Sequence, residues 1–296
     1  SEVDESDGSI ALYSPTIALL NNVSLDHKEM DELRSLFTGF LQAATIAVVN
    51  VDDEESRSLS GEVAGVVGYG FDQPDAGVRG LDLSLDAEGS RFTLAVEGQR
   101  HFVRLPLPGR HNASNALGAL AAVHALGADL PAAVDALSRF AGLKRRLETV
   151  GQAAGVRVID DFAHNPDKIA ATLATLAAGE GRLLLMFQPH GYGPLAKMGG
   201  ELASTFAEGL RPDDLLILSD PVYQGGTVDR SRGSDWLAEA VRQAGGRAEH
   251  IPDRQAIAER LLAEARSGDT IAILGARDDT LSLFAADLVR NLGGRG

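Results

Sequence analysis

Carboxylates, amides, imidazoles and guanidinium groups gather in seven short segments of the sequence. The first, Glu2-Val3-Asp4-Glu5-Ser6-Asp7, packs four carboxylates into six residues, and Asn21-Asn22-Val23-Ser24-Leu25-Asp26-His27 follows it. Carboxylate oxygens and an imidazole nitrogen can hold Mg2+ or Mn2+, while phosphates and waters complete an octahedron. The same residues can also serve as a solvated acidic terminus and a helix cap at Asp26-His27.

The third segment is Pro108-Gly109-Arg110-His111-Asn112-Ala113-Ser114-Asn115. Asn112 and Asn115 are three apart at a helix start, so their amides share a face. An amide both donates and accepts, as reading an adenine edge requires; N-capping by Asn112 is the alternative. In Leu143-Lys144-Arg145-Arg146-Leu147-Glu148 three cations stand together. Arginine suits bidentate phosphate contact, and a solvated linker would show the same run.

The fifth segment, Asp160-Asp161-Phe162-Ala163-His164-Asn165-Pro166, follows an apolar run and opens a helix. An acid there can accept from ribose hydroxyls, and a helix N-terminus favours phosphate. Asn165 before Pro166 also reads as an N-cap and first-turn pair. Two turns, Gln188-Pro189-His190-Gly191-Tyr192-Gly193 and Leu274-Gly275-Ala276-Arg277-Asp278, complete the set.

The elements that must position these groups alternate along the chain. Ile17–Asn22 and Thr45–Asn50 read as buried strands around a helix at Lys28–Gln42. From Val63 to Leu107 short strands broken by Gly, Asp and Pro suggest antiparallel strands on one flank of a sheet. Helices follow at His111–Leu126 and Pro131–Phe140. Beyond them, strands at Val156–Ile159, Leu183–Phe187, Leu215–Leu218 and Thr270–Leu274 alternate with helices near Pro166–Ala178, Leu195–Gly209, Ser234–Ala244, Arg254–Ala265 and Thr280–Asn291. That spacing predicts a mainly parallel sheet with helices on both faces. The fold class is therefore α/β, in two domains, 1–142 and 143–296. Ligands of such sheets sit outside the carboxyl ends of the strands, where Asn21–His27, Asp160–Pro166 and Gln188–His190 fall.

Composition narrows the partners. With 27 basic against 42 acidic residues the net charge is −15, which disfavours nucleic acid, because binding it depends on Lys and Arg neutralising phosphates. A phosphate-bearing ligand must then meet locally concentrated positive charge or a metal ion. No apolar run approaches the roughly 18 residues of a membrane helix, so no membrane partner is expected. The absence of cysteine excludes disulfides and thiolate metal sites and fits a cytoplasmic protein.

In this order and spacing, E-x-D-E-S-D, N-N-x-x-x-D-H, G-R-H-N-x-x-N, R-R-L-E, D-D-F-A-H-N-P and F-Q-P-H resemble the Mur ligases across essentially the whole chain. The resemblance implies a central ATPase-type domain, partial here, followed by a Rossmann-like C-terminal domain that closes over the nucleotide. It implies Glu2 and His27 as metal ligands for Mg2+ or Mn2+, and His111, Asn112 and Asn115 around the adenine. It further implies Arg146 at the ATP phosphates, Asp161 at the ribose, and His164 close to the nucleotide and the incoming amine. The implied reaction turns a carboxylate into an acyl phosphate at the expense of ATP, and an amine then displaces phosphate. UDP-N-acetylmuramate would be the acid, and L-alanine or a tripeptide of cell-wall recycling the amine.

Two departures qualify this. The family's Gly-rich phosphate loop ending in Gly-Lys-Thr or Gly-Lys-Ser, and its UDP-binding domain, are not in the sequence. The chain by itself is therefore expected to be inactive, and a non-catalytic nucleotide-binding protein of the same fold is the alternative. Also, the alanine-adding branch usually reads F-Q-P-H-R, whereas Gly191 follows His190. The amine specificity is open at this stage. Arg277 in the last strand-to-helix turn is a candidate to replace that arginine.

Overall fold

A computed structural model describes the chain except residues 1, 4, 6, 25–27, 224, 226, 228 and 295–296. It divides into two compact units, 1–141 and 142–296.

The first unit is built on a six-stranded sheet ordered β1-β2-β3-β4-β5-β6. Its strands are β1 (Ile17–Leu20), β2 (Ile46–Asn50), β3 (Val67–Gly70), β4 (Val78–Asp86), β5 (Gly89–Val96) and β6 (Gln99–Leu105). The helices are α1 (Met30–Ala43), α2 (Glu54–Ser60), α3 (Arg110–Ala125) and α4 (Leu130–Leu137). Alternate residues of β2 point to opposite faces, as the two-residue repeat of a strand requires. Val48 packs with Leu117, Leu120 and Ala121 of α3. Ala47 and Val49 pack with Leu33, Phe40 and Leu41 of α1.

One expectation is corrected here. β3 runs parallel to β2, and β4 parallel to β3; only β4, β5 and β6 are mutually antiparallel. The segment 53–77 contains α2, whose sequence EESRSLS buries only Ser56 and Leu59, and this helix carries the chain back so that β3 can enter in parallel.

The second unit holds β7 (Glu148–Ala153), β8 (Val156–Asp161), β9 (Leu183–Gln188), β10 (Leu215–Leu218), β11 (Ala248–His250) and β12 (Thr270–Gly275). They are ordered β11-β10-β9-β12-β8-β7 and are parallel except for the antiparallel β7–β8 pair. Its helices are α5 (Pro166–Leu176), α6 (Tyr192–Gly209), α7 (Ser234–Gln243), α8 (Arg254–Glu264) and α9 (Thr280–Gly293). β9 is apolar at five consecutive positions because both its faces are covered. Leu183, Leu185 and Phe187 meet α5, α6 and α7. Leu184 and Met186 meet α8 and α9. The mainly parallel α/β architecture expected from the sequence is thus observed. None of the described helices is long and apolar enough to cross a membrane.

Candidate functional site

In the second unit the basic run becomes a tight turn against the end of β8. Arg145 and Leu147 both take left-handed backbone angles, with φ of 57° and 49°, so Arg146 stands between two strained residues. The turn is held from several directions. Leu147 N–H donates to Asp161 Oδ2 at 2.9 Å, Phe162 N–H to Arg145 O at 2.8 Å, and Arg145 N–H to Glu148 Oε2 at 2.8 Å.

Asp161, only 6% exposed, also accepts from Ala163 N–H at 2.7 Å. Burial pushes its carboxyl pKa up, and the two backbone donors and the charge of Arg146 oppose that. Both oxygens are therefore committed to the protein backbone, and ribose would have to share them. Asp160 is fully buried; its Oδ2 accepts from the Ser282 hydroxyl and lies 3.6 Å from Arg145 Nε. The Arg145 side chain continues to Gly275 O at 2.7 Å and Asp279 Oδ1 at 3.4 Å. Arg146 is exposed, with its guanidinium 5.2 Å from the Phe162 ring.

The histidines of the fifth and sixth segments meet. His164, after β8, and His190, after β9, have ring centroids 4.8 Å apart in an edge-to-face arrangement. β12 lies between those two strands, and it ends in Gly275-Ala276, where a Cβ on Gly275 would come within 3.0 Å of Gln188 O. His164 Nδ1–H donates to Phe162 O at 2.9 Å, which fixes that tautomer of the neutral ring. Asn165 caps α5, its Oδ1 accepting from Lys168 N–H at 3.0 Å, with Pro166 in the first turn.

Gln188 of F-Q-P-H is engaged by Asp278 and Arg254. With Nε2 donating to Asp278 Oδ2 at 2.9 Å and Oε1 accepting from Arg254 at 3.2 Å, it braces the turn after β12. This brace, like Asp160 and Arg145, joins residues far apart in sequence, up to 134 positions for Arg145 and Asp279, and no local pattern announces it.

In the first unit Gly109, not Asn112, is the N-cap of α3. The Asn112 amide donates back to Pro108 O at 2.7 Å, while Asn115 is exposed. His111 is partly buried, and burial lowers its pKa. Asn21 accepts from the buried Tyr69 hydroxyl at 2.6 Å. The close approach of α3 to that ring needs Gly118, since a Cβ there would lie 2.8 Å from the phenol.

Asp52 is a residue that sequence reasoning missed. It accepts the backbone N–H groups of Phe71 (2.6 Å), Asp72 (2.9 Å) and Gln73 (3.2 Å), and it lies 3.8 Å from Arg110 of the G-R-H-N segment. Glu2 is exposed, and Asp26 and His27 lie outside the described residues. Among the described residues no three His, Asp or Glu side chains converge as a metal site. Glu2 by itself does not make up a site for a divalent cation.

Residues 1–123 match the Mur ligase middle domain, and residues 145–277 match the Mur ligase, glutamate ligase domain. The chain belongs to the Mur ligase family. It is 36% identical, over 95% of its length, to the UDP-N-acetylmuramate--L-alanine ligase of Mycobacterium sp. (strain JLS), and also 36% identical, over 95%, to that of Kineococcus radiotolerans. The chain spans 60% and 61% of those two proteins. Among solved structures, the UDP-N-acetylmuramate-alanine ligase of Thermotoga maritima superposes with a TM-score of 0.77 at 21% identity, covering 99% of this chain and 63% of that one. A murein peptide ligase from Psychrobacter arcticus gives 0.64 at 23% identity, covering 96% and 59%. At those identities the two structures speak for the fold.

Proposed function

We propose that this chain is part of a cytoplasmic ATP-dependent ligase that joins L-alanine to UDP-N-acetylmuramate through an acyl phosphate. The observation that carries the reading is the 36% identity over 95% of the chain to proteins bearing that name.

In the proposed reaction a carboxylate oxygen attacks the terminal phosphorus of ATP and ADP leaves. The amine nitrogen then attacks the acyl carbon and phosphate departs with the former carboxylate oxygen. Most of the protein's work in such a transfer is positioning and charge stabilisation. Arg146 is suited to the second task, because its turn is fixed and its guanidinium is exposed. Asp161 contributes by holding that turn. His164, whose Nδ1 proton is engaged by Phe162 O, is assigned a position close to the nucleotide and the incoming amine. Asn112 and Asn115, with His111 beside them, are assigned to adenine, Asn115 being the more accessible. Mg2+ or Mn2+ would neutralise the phosphates of ATP, with Glu2 and His27 as the proposed ligands. Nucleic acid and membrane have no part in this reading.

A tripeptide amine in place of L-alanine is the second reading. Gly191 favours it, because the turn after His190 carries no cation for a small amino acid's carboxylate.

The test is phosphate release from ATP by the intact gene product with UDP-N-acetylmuramate, comparing L-alanine, glycine, L-serine and L-Ala-γ-D-Glu-diaminopimelate. Release that depends on L-alanine supports the first reading, and dependence on the tripeptide the second. No amine-dependent release would overturn both.

A further inference from the structure

Arg277 occupies a backbone conformation that costs a side chain energy. Its φ is 63°, in the left-handed region where glycine is the ordinary occupant. The strain cannot relax, because the turn is pinned on both sides of it. Before it, Gly275 O accepts from Arg145 at 2.7 Å. After it, Asp278 takes Arg254 at 2.9 Å and Thr280 N–H at 3.0 Å, and Asp279 takes Arg145 at 3.4 Å. Glycine would make the same turn without the cost, so the turn alone does not account for an arginine.

The side chain gives no structural return either. Arg277 is exposed, and among the described residues it has no hydrogen-bond or ion-pair partner. Several other arginines of this unit are paired: Arg182 with Glu264 and Asp269, Arg254 with Asp278, Arg260 with Glu249 and Glu264. An unpaired guanidinium is conspicuous in a chain of net charge −15.

Its location supplies the second argument. β12 lies between β8 and β9, whose carboxyl ends carry the Asp161–His164 segment and His190. Arg277 therefore follows the middle strand of three, on the edge where open parallel sheets bind ligands.

We propose that Arg277 is an oxyanion-binding residue, held by a strained turn so that its guanidinium fork grips a carboxylate or a phosphate of a bound ligand. The choice of ligands rests on the ligase reading above, with the amine substrate's carboxylate and the nucleotide's phosphates as the two sources. Such strain tends to survive where it serves a site.

The experiment compares the intact gene product with its Arg277→Gly and Arg277→Lys variants in steady-state kinetics, thermal melting and equilibrium binding of ADP, L-alanine and inorganic phosphate. Arg277→Gly is expected to raise one KM by about tenfold or more, the amine's if the carboxylate is held and that of ATP if phosphate is. Its thermal midpoint should be no lower than wild type, because strain has been removed. Arg277→Lys, with the charge but not the fork, should fall between. Unchanged KM values with unchanged binding in Arg277→Gly would overturn the proposal, and so would a lowered thermal midpoint. If the wild type turns over no amine, the ligase reading fails. The binding series still decides for or against Arg277, by whether ADP or inorganic phosphate is held in an Arg277-dependent way.

Discussion

Leu147 and Asp161 are fourteen residues apart, yet the backbone N–H of one donates to the carboxylate of the other at 2.9 Å. That bond ties the strained arginine turn to the end of β8. With the bond from Ala163 it satisfies both carboxylate oxygens. Asp161→Ala would leave two N–H groups without their acceptor, and the cost should be about 2 kcal/mol or more. Asp161→Asn keeps one acceptor and should lose about half as much. Urea unfolding of the chain checks this, and an unchanged midpoint for the alanine variant would contradict the clamp.

Arg146 makes the opposite prediction. It is exposed, with its guanidinium against the Phe162 face, so Arg146→Ala should change stability by no more than about 0.5 kcal/mol. The kcat of the intact gene product should nevertheless fall about 100-fold or more, as when a preorganised charge is removed from a transition state. Activity that survives intact would remove Arg146 from the proposed chemistry.

The two asparagines of G-R-H-N-x-x-N should separate cleanly. Asn112 is bonded to Pro108 O, so Asn112→Ala should cost about 1 kcal/mol of stability. Asn115 is exposed, and Asn115→Ala should leave unfolding unchanged while weakening ATP binding. Calorimetric titration with a non-hydrolysable ATP analogue measures the second effect, and equal affinity would place adenine elsewhere.

Much of the second unit was legible because its strands are buried on both faces and read as apolar runs. Leu183–Phe187 needed no partner to be recognised. β7 and β11 escaped because ETVGQA is only half-buried and AEH is three residues long; pairing with β8 and β10, rather than local pattern, makes them strands. α2 escaped because a short polar sequence carries no apolar stripe, although Asp53 caps it. In the candidate site, the motifs pointed to the segments. They did not show that Asp161 would bind backbone, that Gln188 would brace Asp278 and Arg254, or that Arg145 would reach Gly275. Those partners are far apart in sequence, and only the closed sheet brings them together.

Acid should weaken the second unit through Glu264. Hydrogen bonds from Arg260 and Arg182 hold its carboxyl at about 2, well below the ordinary 4.5. A carboxyl lowered on folding contributes stability that is present above its ordinary value and lost as pH falls through the folded one. Glu264→Gln should therefore be less stable than wild type near neutral pH, and the gap should close between about pH 4.5 and pH 2. Urea unfolding across that range measures it, and a constant gap would show that the carboxylate's charge is not what matters.

Activation of a carboxylate as an acyl phosphate before the amine arrives can be tested directly with oxygen isotopes. UDP-N-acetylmuramate carrying oxygen-18 in its carboxylate would be turned over with ATP and L-alanine by the intact gene product. One labelled oxygen is expected in the released inorganic phosphate, because the bond to phosphorus is made by that carboxylate. Unlabelled phosphate, or label recovered in AMP, would contradict it.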